Sequence, residues 1–149
     1  DTCYSVGYNI DMLEVAPQAA LTSATNVWSV YYTEAIGLAM KGEAVPTNWA
    51  KGYADDAVAI TPLGESVAPG TQEKVDETIA AIKAGELHVF DIDTFTVKGE
   101  KVESAFATDT DGDFVPDADE AVFDGYFHES YFQSAPCFAL DIDGITLLN

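Results

Sequence analysis

At 149 residues, with 48% hydrophobic and 11% aromatic content, the chain is long enough to bury a core as one domain or one lobe with an appendage. It has no uninterrupted apolar run of membrane-spanning length. Acidic residues outnumber basic ones 26 to 6, giving a formal charge of -20 that repels phosphate backbones and anionic membrane surfaces, so nucleic acid is a poor partner.

Cys3 to Asn9 alternates β-forming with small residues and predicts a strand ending in a polar turn at Asn9-Ile10-Asp11. Cys3 and Cys137 lack CxxC spacing and clustered histidines, which argues against zinc; one disulfide and two small buried hydrophobes stay equally open. Ala20 to Ala24 predicts a second short strand. From Asn26 to Lys41, Trp28, Tyr31, Tyr32, Ala35, Ile36, Ala39 and Met40 recur at helical spacing, with Gly42 as the stop. Ala57 to Thr61 is nearly all apolar and predicts a strand buried on both faces of a parallel sheet. Pro69 opens a second helix striped by Val75, Ile79 and Ile82, and Gly85 is its C-cap. Strands alternating with helices predict an α/β fold.

After Gly85 the pattern turns to β. Leu87 to Ile92 predicts a strand, and Phe95-Thr96-Val97 and Lys101-Val102-Glu103 flank Lys98-Gly99-Glu100 as a hairpin. Tyr126 to Leu148 is an aromatic, β-like tail with a turn at Asp141-Ile142-Asp143-Gly144. Between them, Asp109 to Glu120 sets carboxylates at relative positions 1, 3, 5, 9 and 12, the oxygen-ligand spacing of a calcium loop. Asp109, Asp111, Asp113, Asp117 and Glu120 would supply carboxylates and Val115 its carbonyl. Phe114 stands where an EF-hand needs glycine, Gly112 is displaced and Pro116 replaces an aliphatic, so the loop resembles thrombospondin-type or dockerin-like Asp-rich loops more closely. The candidate cofactor is Ca2+; the alternative is a solvated acidic turn.

No nucleophile elbow, P-loop or HExxH helix occurs, and neither His88 nor His128 stands at a meaningful spacing from a nucleophile. No catalytic residue is assigned, and the chain is not expected to be an enzyme.

Three segments in order carry a family resemblance: VGYNIDM (Val6 to Met12), APQAALTSATNVWSVYY (Ala16 to Tyr32), and KGYADDAVAITPLGESV (Lys51 to Val67) with the following helix and AGELHVF (Ala84 to Phe90). Together they resemble the C-terminal portion of the basic membrane protein family, the PnrA-like substrate-binding lipoproteins of ABC importers. The resemblance implies a partial type I periplasmic-binding-protein lobe, a parallel sheet flanked by helices over residues 1–92. A hinge crossing and a β-rich C-terminal extension bearing the acidic loop would follow over residues 93–149. It implies a ligand at the carboxyl ends of the strands, with Asp11 at the cleft and Trp28 stacked on a planar base. Asn26 stands where many nucleoside-binding members carry lysine, which favours a free base or another small ligand over a nucleoside. Read as residues alone, Asp11 is equally a turn cap, and a tryptophan at helical spacing with Tyr31 and Tyr32, as Trp28 is, is more often a core side chain. The resemblance further implies an ABC permease as partner, a periplasmic or extracellular location, and a membrane anchor outside this chain, which would be a portion of a two-lobed transport protein. A second reading is a calcium-stabilised extracellular surface or adhesion module built on the Asp109 loop.

Overall fold

The computed structural model describes residues 3–111, 113, 115, 117–131, 138 and 140–146. The chain divides into two compact units, Asp1–Pro46 with Lys51–Glu86, and Thr47–Ala50 with Leu87–Asn149.

The first unit is a mixed α/β layer: β1 (Ser5–Tyr8), β2 (Ala20–Asn26), α1 (Trp28–Lys41), a 3-10 turn at Tyr53–Asp55, β3 (Val58–Ile60) and α2 (Thr71–Ala84). The strands lie in the order β1-β2-β3. β1 and β2 are parallel, with Val6 opposite Thr22 and Tyr8 opposite Ala24. Asn9, left-handed at φ 73°, turns the chain out of β1. Turns in which the Met12 carbonyl accepts from Val15 and Ala16, and the Ala16 carbonyl from Ala19 and Ala20, then return it to the start of the sheet.

β3 departs from the expected strand buried on both faces of a parallel sheet. It runs antiparallel to β2 at the sheet edge, and all three of its residues are half-buried. The cause is the connection. A 14-residue helix carries the chain away from the end of β2, and the stretch after Gly42 brings it back to that same end, where Val58 pairs with Asn26. Entering there, the strand can only run antiparallel.

Both helices stop where glycine predicts. Gly42 (φ 73°) donates to the Ala39 carbonyl and Glu43 to Leu38; Gly85 (φ 71°) donates to Ile82 and Glu86 to Ala81. These are two Schellman closures, and they satisfy carbonyls that would otherwise be left open. α2 begins at Thr71, after Pro69 and a left-handed Gly70. Ala20 and Ser23 are fully buried where β2 meets its neighbours. Gly7 allows that approach: a Cβ there would stand 2.5 Å from Ser23 Oγ and 2.6 Å from Met12 Cγ.

The second unit is built around Val102, Ala105, Ala107, Ala121, Val122 and Phe127, with Phe90, Ile92, Phe95, Val97, Phe138 and Leu140 against them. Among the described residues its regular structure is a hairpin, β4 (Val122–Phe123) and β5 (Tyr126–Phe127), joined by left-handed Asp124 (φ 53°) and Gly125 (φ 87°). Leu87 to Ile92 does not form the expected strand; Asp91 alone bridges to Tyr126. The hairpin about Lys98-Gly99 contracts to a single bridge, Val97 to Glu100. Side chains take the bonds a ladder would use. Asp143 accepts from the Thr96 hydroxyl and from the Lys98 and Gly99 amides, and Asp91 accepts from the Asp93 amide. Cys3 is exposed. Its pairing with Cys137 falls outside the described residues, as does most of the tail beyond Tyr131.

Candidate functional site at the ends of the parallel strands

Because β1 and β2 run parallel, their carboxyl ends lie side by side, and the residues leaving them gather at one end of the sheet. The Asn9 amide donates to the Ala24 carbonyl at 2.6 Å and the Thr25 hydroxyl to the Asn9 carbonyl at 2.8 Å, which locks the two exits together. On this platform Asn26 Nδ2 donates to Tyr8 Oη at 3.3 Å. Asp11 accepts from the Leu13 amide at 2.9 Å through Oδ1, the geometry of a turn cap. Trp28, the first residue of α1, is 53% exposed and rests tilted on Tyr32 with ring centroids 6.1 Å apart. Of the three predicted residues, Asn26 is brought against Tyr8, whereas Asp11 caps its own turn after β1 and Trp28 rests on Tyr32 within α1. Sequence reasoning missed Tyr8, which is 73% exposed and holds Asn26. Its signal was the alternation of β1, which puts Val6 and Tyr8 on one face.

The residues at and just after these strand ends carry an amide, a phenol, a carboxylate and a half-exposed indole. Those groups suit a planar polar solute, which needs a ring surface and a few directed hydrogen bonds.

Of the residues proposed for calcium, three carboxylates converge. Carboxylate oxygens of Asp109, Asp111 and Asp113 lie within 4.8 Å of one another. Asp111 accepts from the Asp113 amide at 3.1 Å, and Asp113 from the Val115 amide at 2.8 Å. Asp117 instead accepts from the hydroxyl and amide of Thr110, which hold its carboxyl below the ordinary range. Glu120 lies in a bridge with Phe106, and its carboxylate accepts from the Ser104 hydroxyl and the Ala105 and Val122 amides. Those donors, the serine first, hold Glu120 low as well.

Both histidines enter one stack of rings. His88 lies 3.7 Å from Tyr126 at an interplanar angle of 5°, Tyr126 lies 3.7 Å from His128, and His128 lies 3.4 Å from Phe123. His128 Nε2 is 3.1 Å from the Phe123 carbonyl. Burial lowers the His128 pKa, against the pull of that carbonyl and of Asp124 and Glu129.

No protein-family model matches the chain, and no curated protein matches it significantly.

Proposed function

We propose that the protein is a solute-binding component of an ABC importer that holds a small planar solute, a purine base or nucleoside, at the carboxyl ends of β1 and β2. One observation carries the reading: Tyr8 at the end of β1 and Asn26 at the end of β2 meet through their side chains, and Asp11 and Trp28 stand in the segments that follow those two ends. Open α/β sheets take ligands outside the carboxyl ends of their parallel strands. The family resemblance supports the same positions. The edge position of β1 and the exposed Ile36 and Met40 of α1 support it too, since a doubly wound lobe has further strands and helices to cover such surfaces. In this reading residues 1–92 belong to the second lobe of a type I binding protein and residues 93–149 to the hinge crossing and tail. The protein works in the periplasm or outside the cell without catalysis, with a permease as partner and a membrane anchor outside this chain.

The test is a titration with adenine and adenosine in a Trp49→Phe background, so that Trp28 alone reports. Saturable quenching or enhancement, weakened at least tenfold by Asn26→Ala, is expected. An unchanged Trp28 signal, together with no heat of binding for either compound, rejects the proposal.

A calcium-stabilised extracellular surface or adhesion module is the second reading, favoured by the convergence of Asp109, Asp111 and Asp113. Its test is a comparison of melting temperatures in chelator and in millimolar Ca2+.

A further inference from the structure

Between α2 and the sheet lies a cleft of about 430 Å³, open to solvent along one side, that the transport reading does not use. Thr22 of β2 and Ile60 of β3 line it from the sheet, Val75, Ile79 and Ile82 from α2, and Tyr53 from the 3-10 turn. An apolar helix stripe beside a sheet ordinarily closes on it, yet no residue of α2 is buried. Layers of folded proteins close to near-crystalline density, with voids rarely larger than a water. A slot of this size falls within the roughly 300–1,000 Å³ typical of small-molecule pockets.

The lining also limits the chemistry of an occupant. The threonine hydroxyls are committed as donors: Thr22 to the Thr61 carbonyl at 2.7 Å, Thr71 to Ala68 at 2.7 Å and Thr78 to Lys74 at 2.8 Å. Lys74, the one charged lining residue, holds Glu77 at 2.9 Å. The lining therefore presents no uncompensated charge. A chain of formal charge -20 repels anions, and an apolar wall disfavours a desolvated cation. Among the described residues the Tyr53 hydroxyl makes no hydrogen bond, so it stands ready as donor and acceptor.

We propose that this cleft binds an uncharged, mainly apolar small molecule bearing one hydroxyl or carbonyl group, with that group on the Tyr53 hydroxyl. The probes are octan-1-ol, which has the group, and the neutral fluorophore N-phenyl-1-naphthylamine, which has no oxygen. The whole chain should bind the fluorophore with one-to-one stoichiometry and release it to octan-1-ol. Ile79→Trp, which fills the slot from the helix, and Thr22→Leu, which fills it from the sheet, should each abolish both while circular dichroism stays native. Tyr53→Phe should weaken octan-1-ol about threefold to tenfold, the scale of one hydrogen bond, and leave the fluorophore within about twofold. Absence of binding by the unaltered protein overturns the proposal. So does binding that survives in a filled, folded variant, since the probe would then sit on apolar surface elsewhere. Equal weakening of both probes by Tyr53→Phe removes the assigned role of the hydroxyl.

Discussion

Two glycines of the first unit show how far the same substitution depends on its surroundings. The Gly64 amide donates to the Leu21 carbonyl at 2.7 Å, and a Cβ there would meet the Ala20 carbonyl and lie 2.7 Å from Leu13 Cδ2. Gly37, inside α1, has nothing within 4 Å of where its Cβ would stand. Gly64→Ala should therefore destabilise by about 1–3 kcal/mol through overpacking. Gly37→Ala should stabilise by about 0.5–1 kcal/mol through helix propensity. Urea unfolding of both variants checks the pair of signs. His128 gives a residue-level pH dependence. Its folded pKa lies below the ordinary 6.5, so the stability it permits is fully present above that pH and is lost as pH falls toward the folded value. The urea midpoint should drop between neutral pH and pH about 5.5, and His128→Phe, which keeps a ring in the stack, should flatten that part of the profile.

At the scale of elements, glycine caps and helical spacing made α1 and α2 legible from sequence, alternation did so for β1, and β2 was legible as a short strand. The direction of β3 was not legible, because it depends on where the connection after Gly42 delivers the chain rather than on the composition of Val58 to Ile60. The β4–β5 hairpin was missed although Asp124-Gly125 is a strong turn pair, because strands of two residues carry no readable alternation. The acidic loop was legible as a motif but not as a geometry. Nothing in its spacing announces that Ser104, Ala105 and Val122 occupy Glu120, or that Thr110 occupies Asp117. Two predictions follow from that division. If the second reading holds, Ca2+ raises the melting temperature with the logarithm of its concentration, Asp111→Asn abolishes the rise, and Glu120→Gln spares more of it. Equal melting temperatures in chelator and in millimolar Ca2+ leave the loop an acidic turn. Independently of metal, Glu120 and Asp143 are held below their ordinary values by the donors around them. Their stabilisation is present above those values and disappears as pH falls below them. Glu120→Gln and Asp143→Asn should each reduce the loss of stability between pH about 4.5 and 2.5 in chelator.

For the whole molecule, charge and exposed apolar surface are the dominant facts. Acids exceed bases by 26 to 6, while Trp28, Tyr32, Ile36 and Met40 of α1 and Val6 and Tyr8 of β1 remain more than half exposed. Self-repulsion of that size is screened over about 10 Å at 0.1 M salt, so stability should rise with added sodium chloride. The candidate site uses two of the exposed rings, Tyr8 and Trp28, at the end of the sheet where a polar solute would meet them. The most direct measurement is a nitrogen-15 NMR titration of the chain with adenine, reading the Trp28 indole, the Asn26 side-chain amide and the backbone at Tyr8 and Asp11. Saturable shifts concentrated at those four residues, with the Asp109 loop and the cleft beneath α2 unmoved, are the predicted result; no saturable shift there, or shifts confined to other regions, would contradict a solute site at the ends of β1 and β2.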